Sequence, residues 1–194
     1  MVRDGERSRR RLLDAAAAEF AEHGIAGARV DRIAESSGVN KAQMYGWFGS
    51  KDGLFDAVFD DQLHRIVDTV PFDAYDLPGY AVRLYDSYLA SPELIRLTSW
   101  NRLERVPTGD ILQDHRALAQ DKYDAIERAQ ADGTVLAGVR PDELYHLVIA
   151  LAGTWSPVSG TYTASRQESE ADHARRRATL RVVVRRGLSG ATTD

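Results

Sequence analysis

The stretch from Val30 to Lys51, VDRIAESSGVNKAQMYGWFGSK, constrains the fold more than any other part of the chain. Val30, Ile33 and Ala34 recur at the i, i+3, i+4 spacing of a buried helical stripe, and Gly38 stands where a helix must end. A second helix follows almost at once. Asn40 suits its N-cap, and Gln43, three residues on, suits the return bond of a capping box. Met44 and Phe48 then share one face and leave Lys41, Ala42, Gln43, Tyr45 and Trp47 largely on the other. Two short helices joined by a glycine turn, the second polar and aromatic outside, form a helix-turn-helix with an exposed recognition helix.

In this register Val30, Ile33, Ala34, Gly38, Val39, Asn40, Met44, Tyr45, Phe48, Ser50, Lys51 and Leu54 resemble the TetR family of bacterial transcriptional repressors. That family's pattern is close to V-x-x-I-A-x-x-x-G-V-S-x-x-x-L-Y-x-x-F-x-S-K-x-x-L. The resemblance covers about the first third of the chain. It implies a three-helix head over residues 1–50 that binds operator DNA, and a helical body over residues 51–194 that dimerises and holds a small-molecule effector.

Side-chain chemistry agrees with a DNA-facing surface. Lys41 can reach a guanine edge or a phosphate, Gln43 can pair bidentately with adenine, and Ala42 is small enough to touch a thymine methyl. By resemblance Tyr45 is a phosphate contact through its hydroxyl. Lys51, at the start of the next helix, can join that helix's free N–H groups in holding a phosphate. Some positions depart from the family pattern. Ala28 and Arg29 stand where Thr or Ser is usual, so the charge of Arg29 replaces a hydroxyl. Gly46 removes a side chain from the recognition helix at a cost of about 1 kcal/mol relative to Ala. Trp47 replaces a frequent His and has two readings, an indole N–H for phosphate or a ring packed on the head. Gly53 replaces a frequent Glu.

Net charge is −4, but residues 1–51 carry nine Lys/Arg against seven Asp/Glu, leaving +2 on the head and −6 on the remainder. That mild asymmetry permits a DNA-facing head on an acidic body. Arg3, Arg7, Arg9, Arg10 and Arg11 form a basic cluster that reads either as a phosphate-attracting arm or as a solvated terminus. With 43% hydrophobic residues the chain can bury a core, and with no cysteine it has neither disulfides nor thiol chemistry. The longest apolar run, Leu147 to Gly153, is too short to span a bilayer, so a soluble, cytoplasmic protein is expected.

Periodicity elsewhere is helical, and the expectation is an all-α protein of about nine helices. Leu13, Ala16, Ala17 and Phe20 mark a first helix ending near His23-Gly24, after a polar stretch over residues 1–8. Ser50 caps a fourth helix, with Leu54, Phe55, Val58, Phe59, Leu63, Ile66 and Val67, long enough to carry a tilt from body to head. A break over Pro71–Gly79 precedes a stripe of Ala81, Leu84, Tyr85, Tyr88 and Leu89. Ser91-Pro92 starts another helix with Leu94, Leu97, Trp100 and Leu103. A long helix is expected from about Asp110 to Gln130, with Leu118, Ala119, Ile126 and Ala129 inward and Gly133 as its stop. The segment from Pro141 is apolar on two faces: Leu144, Leu147, Val148 and Leu151 line one, and Tyr145, Ile149 and Ala152 the other. This suggests core on one side and a second subunit on the other. A polar loop over Ser156–Ser169 leads to a last helix, about Ala171–Gly187, with Ala174, Ala178 and Val182 among many arginines. Those arginines read as an ion-paired edge at a homodimer interface rather than a DNA stripe.

Tyr85, Tyr88, Trp100, Tyr123, His146 and Trp155 offer rings and polar tips for an effector pocket, or else plain core. Asp60/His64 and Asp142/His146 sit at i, i+4, but no third ligand converges, so no metal site is expected. There is no phosphate loop, nucleophile elbow or Cys/His cluster, so no catalytic residues and no cofactor are expected. The function that best fits is a ligand-responsive repressor released from a palindromic operator. An activator of the same fold, or a helical ligand-binding protein that has lost operator binding, is the alternative.

Overall fold

A computed structural model describes residues 2–106, 108–109 and 116–190, apart from the side chains of residues 2–4, 68 and 116–118. Among these residues there are nine α-helices and no strand: α1 (Val2–Gly27), α2 (Val30–Ser37), α3 (Lys41–Phe48), α4 (Lys51–Thr69), α5 (Leu77–Ala90), α6 (Glu93–Glu104), α7 (Arg116–Ala131), α8 (Pro141–Ala152) and α9 (Glu170–Leu188). The chain divides into two compact units, one of residues 1–65 with 93–111 and the other of residues 66–92 with 112–194. The unit that contains the head therefore runs past residue 50 and takes in α6.

In the first unit Leu12, Ala16 and Phe20 of α1, Ile33 of α2, Met44 of α3 and Leu54, Phe55 and Val58 of α4 are buried. Phe20 meets Phe55 edge to face at 5.3 Å, an arrangement that adds to the burial of both rings. Helix α1 is longer than the periodicity suggests. It is helical from Val2 and continues beyond a kink at Gly24 (φ 74°, ψ 177°) to Gly27. The N-terminal arginines divide. Arg10 reaches Asp14 on its own helix and Asp61 on α4, and Arg65 joins the same two carboxylates at 3.0 Å. The guanidinium of Arg10 holds the Asp14 carboxyl below its ordinary range, against the opposing effect of burial. Arg9 lies over the Phe48 ring at 5.1 Å, and the Arg3 side chain lies outside the described residues.

The second unit is built on α5, whose Leu77, Tyr80, Ala81, Leu84, Tyr85 and Tyr88 are buried. This helix begins inside the expected break. Asp76 caps it by accepting the Gly79 N–H at 2.9 Å, and Pro78 occupies the first turn, where its missing N–H costs nothing. Helix α7 contributes Ala119, Ile126 and Ala129, and α8 contributes Leu144, Tyr145, Val148 and Ala152. The expected helix start at Asp110 and the Leu118 side chain lie outside the described residues.

One expected face is corrected. Leu147 is exposed, because the inward arc of α8 is Leu144, Tyr145, Val148 and Ala152. On α9 the buried stripe is His173, Arg176, Leu180, Val184 and Leu188, while Ala174, Ala178 and Val182 face outward. Two of the five members of that stripe are polar and are buried with partners, His173 with Tyr85 and Arg176 with Glu168. After α9 the backbone is pinned: Leu136 N–H donates to the Leu188 carbonyl at 3.0 Å, Gly190 N–H donates to that of Thr134 at 2.9 Å, and Val135 and Ser189 form an isolated antiparallel bridge. A Cβ at Gly190 would lie 1.8 Å from the Gly133 carbonyl oxygen, so this contact needs glycine.

Candidate nucleic-acid interface

Helix α3 starts where the side-chain oxygen of Asn40 accepts the Gln43 N–H at 2.8 Å. Helix α2 stops at Gly38, whose φ of 68° only glycine adopts readily. With Met44 fully buried beneath it, α3 presents Lys41, Ala42, Gln43 and Tyr45 to solvent, Tyr45 with 45% of its surface exposed. Gly46 is exposed as well, and a Cβ there would meet no neighbour. Trp47 is half-buried and lies edge to face with Phe48 at 6.4 Å. Lys41 forms an ion pair with Asp31 of α2, which raises its pKa chiefly through that hydrogen bond. Both side chains are more than half exposed, so the pair is weak.

The approach to α2 is held by charged side chains that sequence patterns do not reveal. After the Gly24 kink, the Glu104 carboxylate accepts the Ile25 N–H at 3.0 Å and the Ala26 N–H at 2.8 Å, capping the last turn of α1 from α6. The indole of Trp100 donates to the Ala21 carbonyl at 3.2 Å. Lys51 donates to the carbonyls of Ala26 and Ala28 at 3.1 and 3.2 Å, so two of its three protons bind backbone. Arg29 is exposed, and its N–H is accepted by Glu19, which also receives the guanidinium of Arg32. Burial would raise the Glu19 pKa, but the hydrogen bonds from Arg32 and Arg29 outweigh it and leave it lowered. The N–H and C=O of Ala26 are thus both held by ions, one on α6 and one on α4. Nothing local in the sequence signals this contact, because Gly24 and Glu104 stand 80 positions apart.

The candidate pocket residues fall into separate places. Trp100 belongs to the first unit, packed on α1. In the second unit Tyr123 and Tyr145 meet edge to face at 5.8 Å, Tyr80 and Tyr145 stack at 6.5 Å, and Phe72 closes the group. Lys122 donates to the Tyr145 hydroxyl at 3.2 Å. Burial raises the pKa of Tyr80 to about 12 and raises those of Tyr88 and Tyr145 as well. His146 is exposed beside the Tyr145 ring. A second aromatic group gathers Tyr85 and Trp155, edge to face at 5.9 Å, with His173 Nδ1 2.7 Å from the Tyr85 hydroxyl. Of the i, i+4 acid–histidine pairs, His64 Nδ1 lies 2.7 Å from the Asp60 backbone carbonyl and Asp142 is held by Arg140.

Comparison with known proteins bears on both units. The profile of bacterial regulatory proteins of the tetR family matches residues 12–58, and that of the tetracyclin repressor-like C-terminal domain matches residues 76–186. The chain belongs to the TetR family. Among TetR-family relatives, the HTH-type transcriptional repressor SCO4008 of Streptomyces coelicolor is 37% identical over 161 residues, covering 81% of this chain and 82% of that one. The crystal structure of the transcriptional regulator SCO4942, also from Streptomyces coelicolor, superposes with a TM-score of 0.79 at 34% identity, covering 93% and 98% of the two chains. A TetR-family regulator from Marinobacter aquaeolei shares the fold at 17% identity, with a TM-score of 0.72 over 98% of this chain and 100% of that one. The chain is therefore a helix-turn-helix transcriptional regulator of the TetR type. No described helix is long and apolar enough to cross a membrane.

Proposed function

We propose that this chain is a cytoplasmic, non-enzymatic repressor that acts as a homodimer on a palindromic operator and is released by a small-molecule effector. The observation that carries the DNA reading is the solvent-facing edge of α3, where Lys41, Ala42, Gln43 and Tyr45 stand over a buried Met44 and begin at a capped Asn40. A helix so presented enters a major groove by its N-terminal residues, and two copies related by a two-fold axis meet half-sites about 34 to 36 Å apart or a multiple of that. In this reading Arg29, Lys41 and Tyr45 bind backbone or base edges, and Gln43 reads an adenine. Trp47 packs against the head. Lys51 positions the entry to α2 and keeps one proton for phosphate.

For the dimer, the outward Ala174, Ala178 and Val182 of α9 and the exposed Leu147 of α8 supply the apolar surface. Support for an effector comes from the two aromatic groups of the body. A mobility shift against the DNA upstream of the gene tests the assignment. Lys41→Ala and Tyr45→Phe should each weaken operator binding with unchanged thermal stability. Equal affinity of wild type and both variants for operator and random duplex would refute it.

A further inference from the structure

Between Val30 and Gly53, Gly46 is the one glycine that the fold does not require. Gly38 and Gly49 hold positive φ of 68° and 74°, and a Cβ on Gly53 would lie 2.2 Å from the Phe48 carbonyl oxygen. Gly46 sits inside α3 without a positive φ, is exposed, and has no neighbour within 4 Å of where a Cβ would stand. Glycine there loosens the helix relative to alanine and gains nothing within the subunit. A residue that lowers stability without a packing or backbone reason implies a demand made from outside the chain.

The direction of Gly46 says what makes that demand. An α-helix turns about 100° per residue, so Ala42 and Gly46, each two residues from the fully buried Met44, line the side of α3 opposite the core. Lys41 and Tyr45 flank that line on one side, Gln43 and Trp47 on the other. In a helix docked into a major groove, the side opposite the core goes deepest. Here it carries one methyl group and one bare Cα, so the main chain can close on the base edges while longer side chains pass to either side. Of the groups along those edges, only the thymine C5-methyl is apolar. We propose that Gly46 is a specificity-determining residue: its missing side chain lets α3 seat a thymine methyl against the Gly46 Cα and the Ala42 methyl, once in each operator half-site. The inference rests on the operator reading above and adds to it a residue and the base it selects.

The test uses the full chain, the duplex it protects from nuclease upstream of its gene, and a random duplex of equal length. Gly46→Ala should raise the thermal midpoint by about 2 to 4 °C, because the added methyl meets nothing and the helix gains. It should nevertheless weaken operator binding by about tenfold and leave binding to random duplex within about twofold. Replacing thymines by deoxyuridine, one symmetric pair at a time, removes only the methyl. One such pair should weaken wild type by about tenfold, the loss of a buried methyl in each half-site, and should change Gly46→Ala by less than about twofold. A lowered midpoint for Gly46→Ala would give the glycine a structural role, and operator affinity equal to or above wild type would make it neutral. Deoxyuridine sensitivity absent from wild type or retained in the variant would remove the thymine. Each of these outcomes overturns the proposal. Wild-type binding without preference for the protected duplex over random DNA would overturn the operator reading and this one with it, whereas preference with an unaffected variant overturns this one alone.

Discussion

Replacing Glu104 by alanine removes both acceptors that hold the end of α1. The Ile25 N–H is partly buried and the Ala26 N–H is exposed, so the second can turn to water while the first is left poorly solvated. Loss of a single capping bond costs about 1 kcal/mol, within a range of about 0.5 to 2, and exposure of Ala26 keeps the sum near 1.5 kcal/mol. With a urea dependence of about 2 kcal/mol per molar, the midpoint should fall by about 0.7 M. Glu104→Gln keeps one neutral acceptor and should lose about half as much. Amide exchange locates the effect: Ile25 and Ala26 should lose protection while amides in the middle of α3 keep theirs. An unchanged urea midpoint together with unchanged exchange at these two amides would refute the view that Glu104 caps α1 from another helix.

Gly24→Ala should be more damaging than an ordinary helix glycine replacement. Its φ of 74° with ψ of 177° is a glycine-only region, and a Cβ would lie 2.6 Å from Glu104 Oε1 and 3.0 Å from the Trp100 ring, so a loss of about 2 to 3 kcal/mol should appear in thermal unfolding. The Asp14 carboxyl titrates below its ordinary value of 3.8, so its contribution is complete above that pH and is lost as pH falls through the lower folded value; Asp14→Asn should flatten the decline of the urea midpoint between pH 5 and pH 3. Tyr80 has the opposite sign. Its folded value near 12 against an ordinary 10.0 means that the neutral phenol stabilises the fold below pH 10 and loses that contribution as pH rises toward 12; tyrosinate absorbance at pH 11 should therefore be lower in the native protein than in urea, and the gap should narrow in Tyr80→Phe.

Local signals made the recognition helix legible. A glycine that ends α2, an asparagine that opens α3 and an apolar Met44 between polar neighbours act within a few residues of themselves, and each is where sequence places it. Residues whose environment comes from afar were less legible. Lys51 reads as a phosphate ligand at a helix start, yet its ammonium meets carbonyls more than twenty positions earlier in the chain. Arg176 reads as part of a solvated, ion-paired helix edge; it does pair, with Glu168, but it is buried because Trp155 and Tyr162 also close on it from the chain ahead of α9. Trp100 carries the aromatic character of a pocket residue but packs on α1. In each case composition was read correctly and the partner was supplied by the tertiary fold, which periodicity along one helix cannot anticipate.

The backbone stitches between 134–136 and 188–190 fasten the far tip of the final helix to the turn ahead of α8. A rod tethered in this way cannot slip by a turn against α8 without first breaking main-chain bonds. In the homodimer proposed above, its outward alanines and valine would meet the second subunit at a fixed height, and a shift of one rod would carry the other with it.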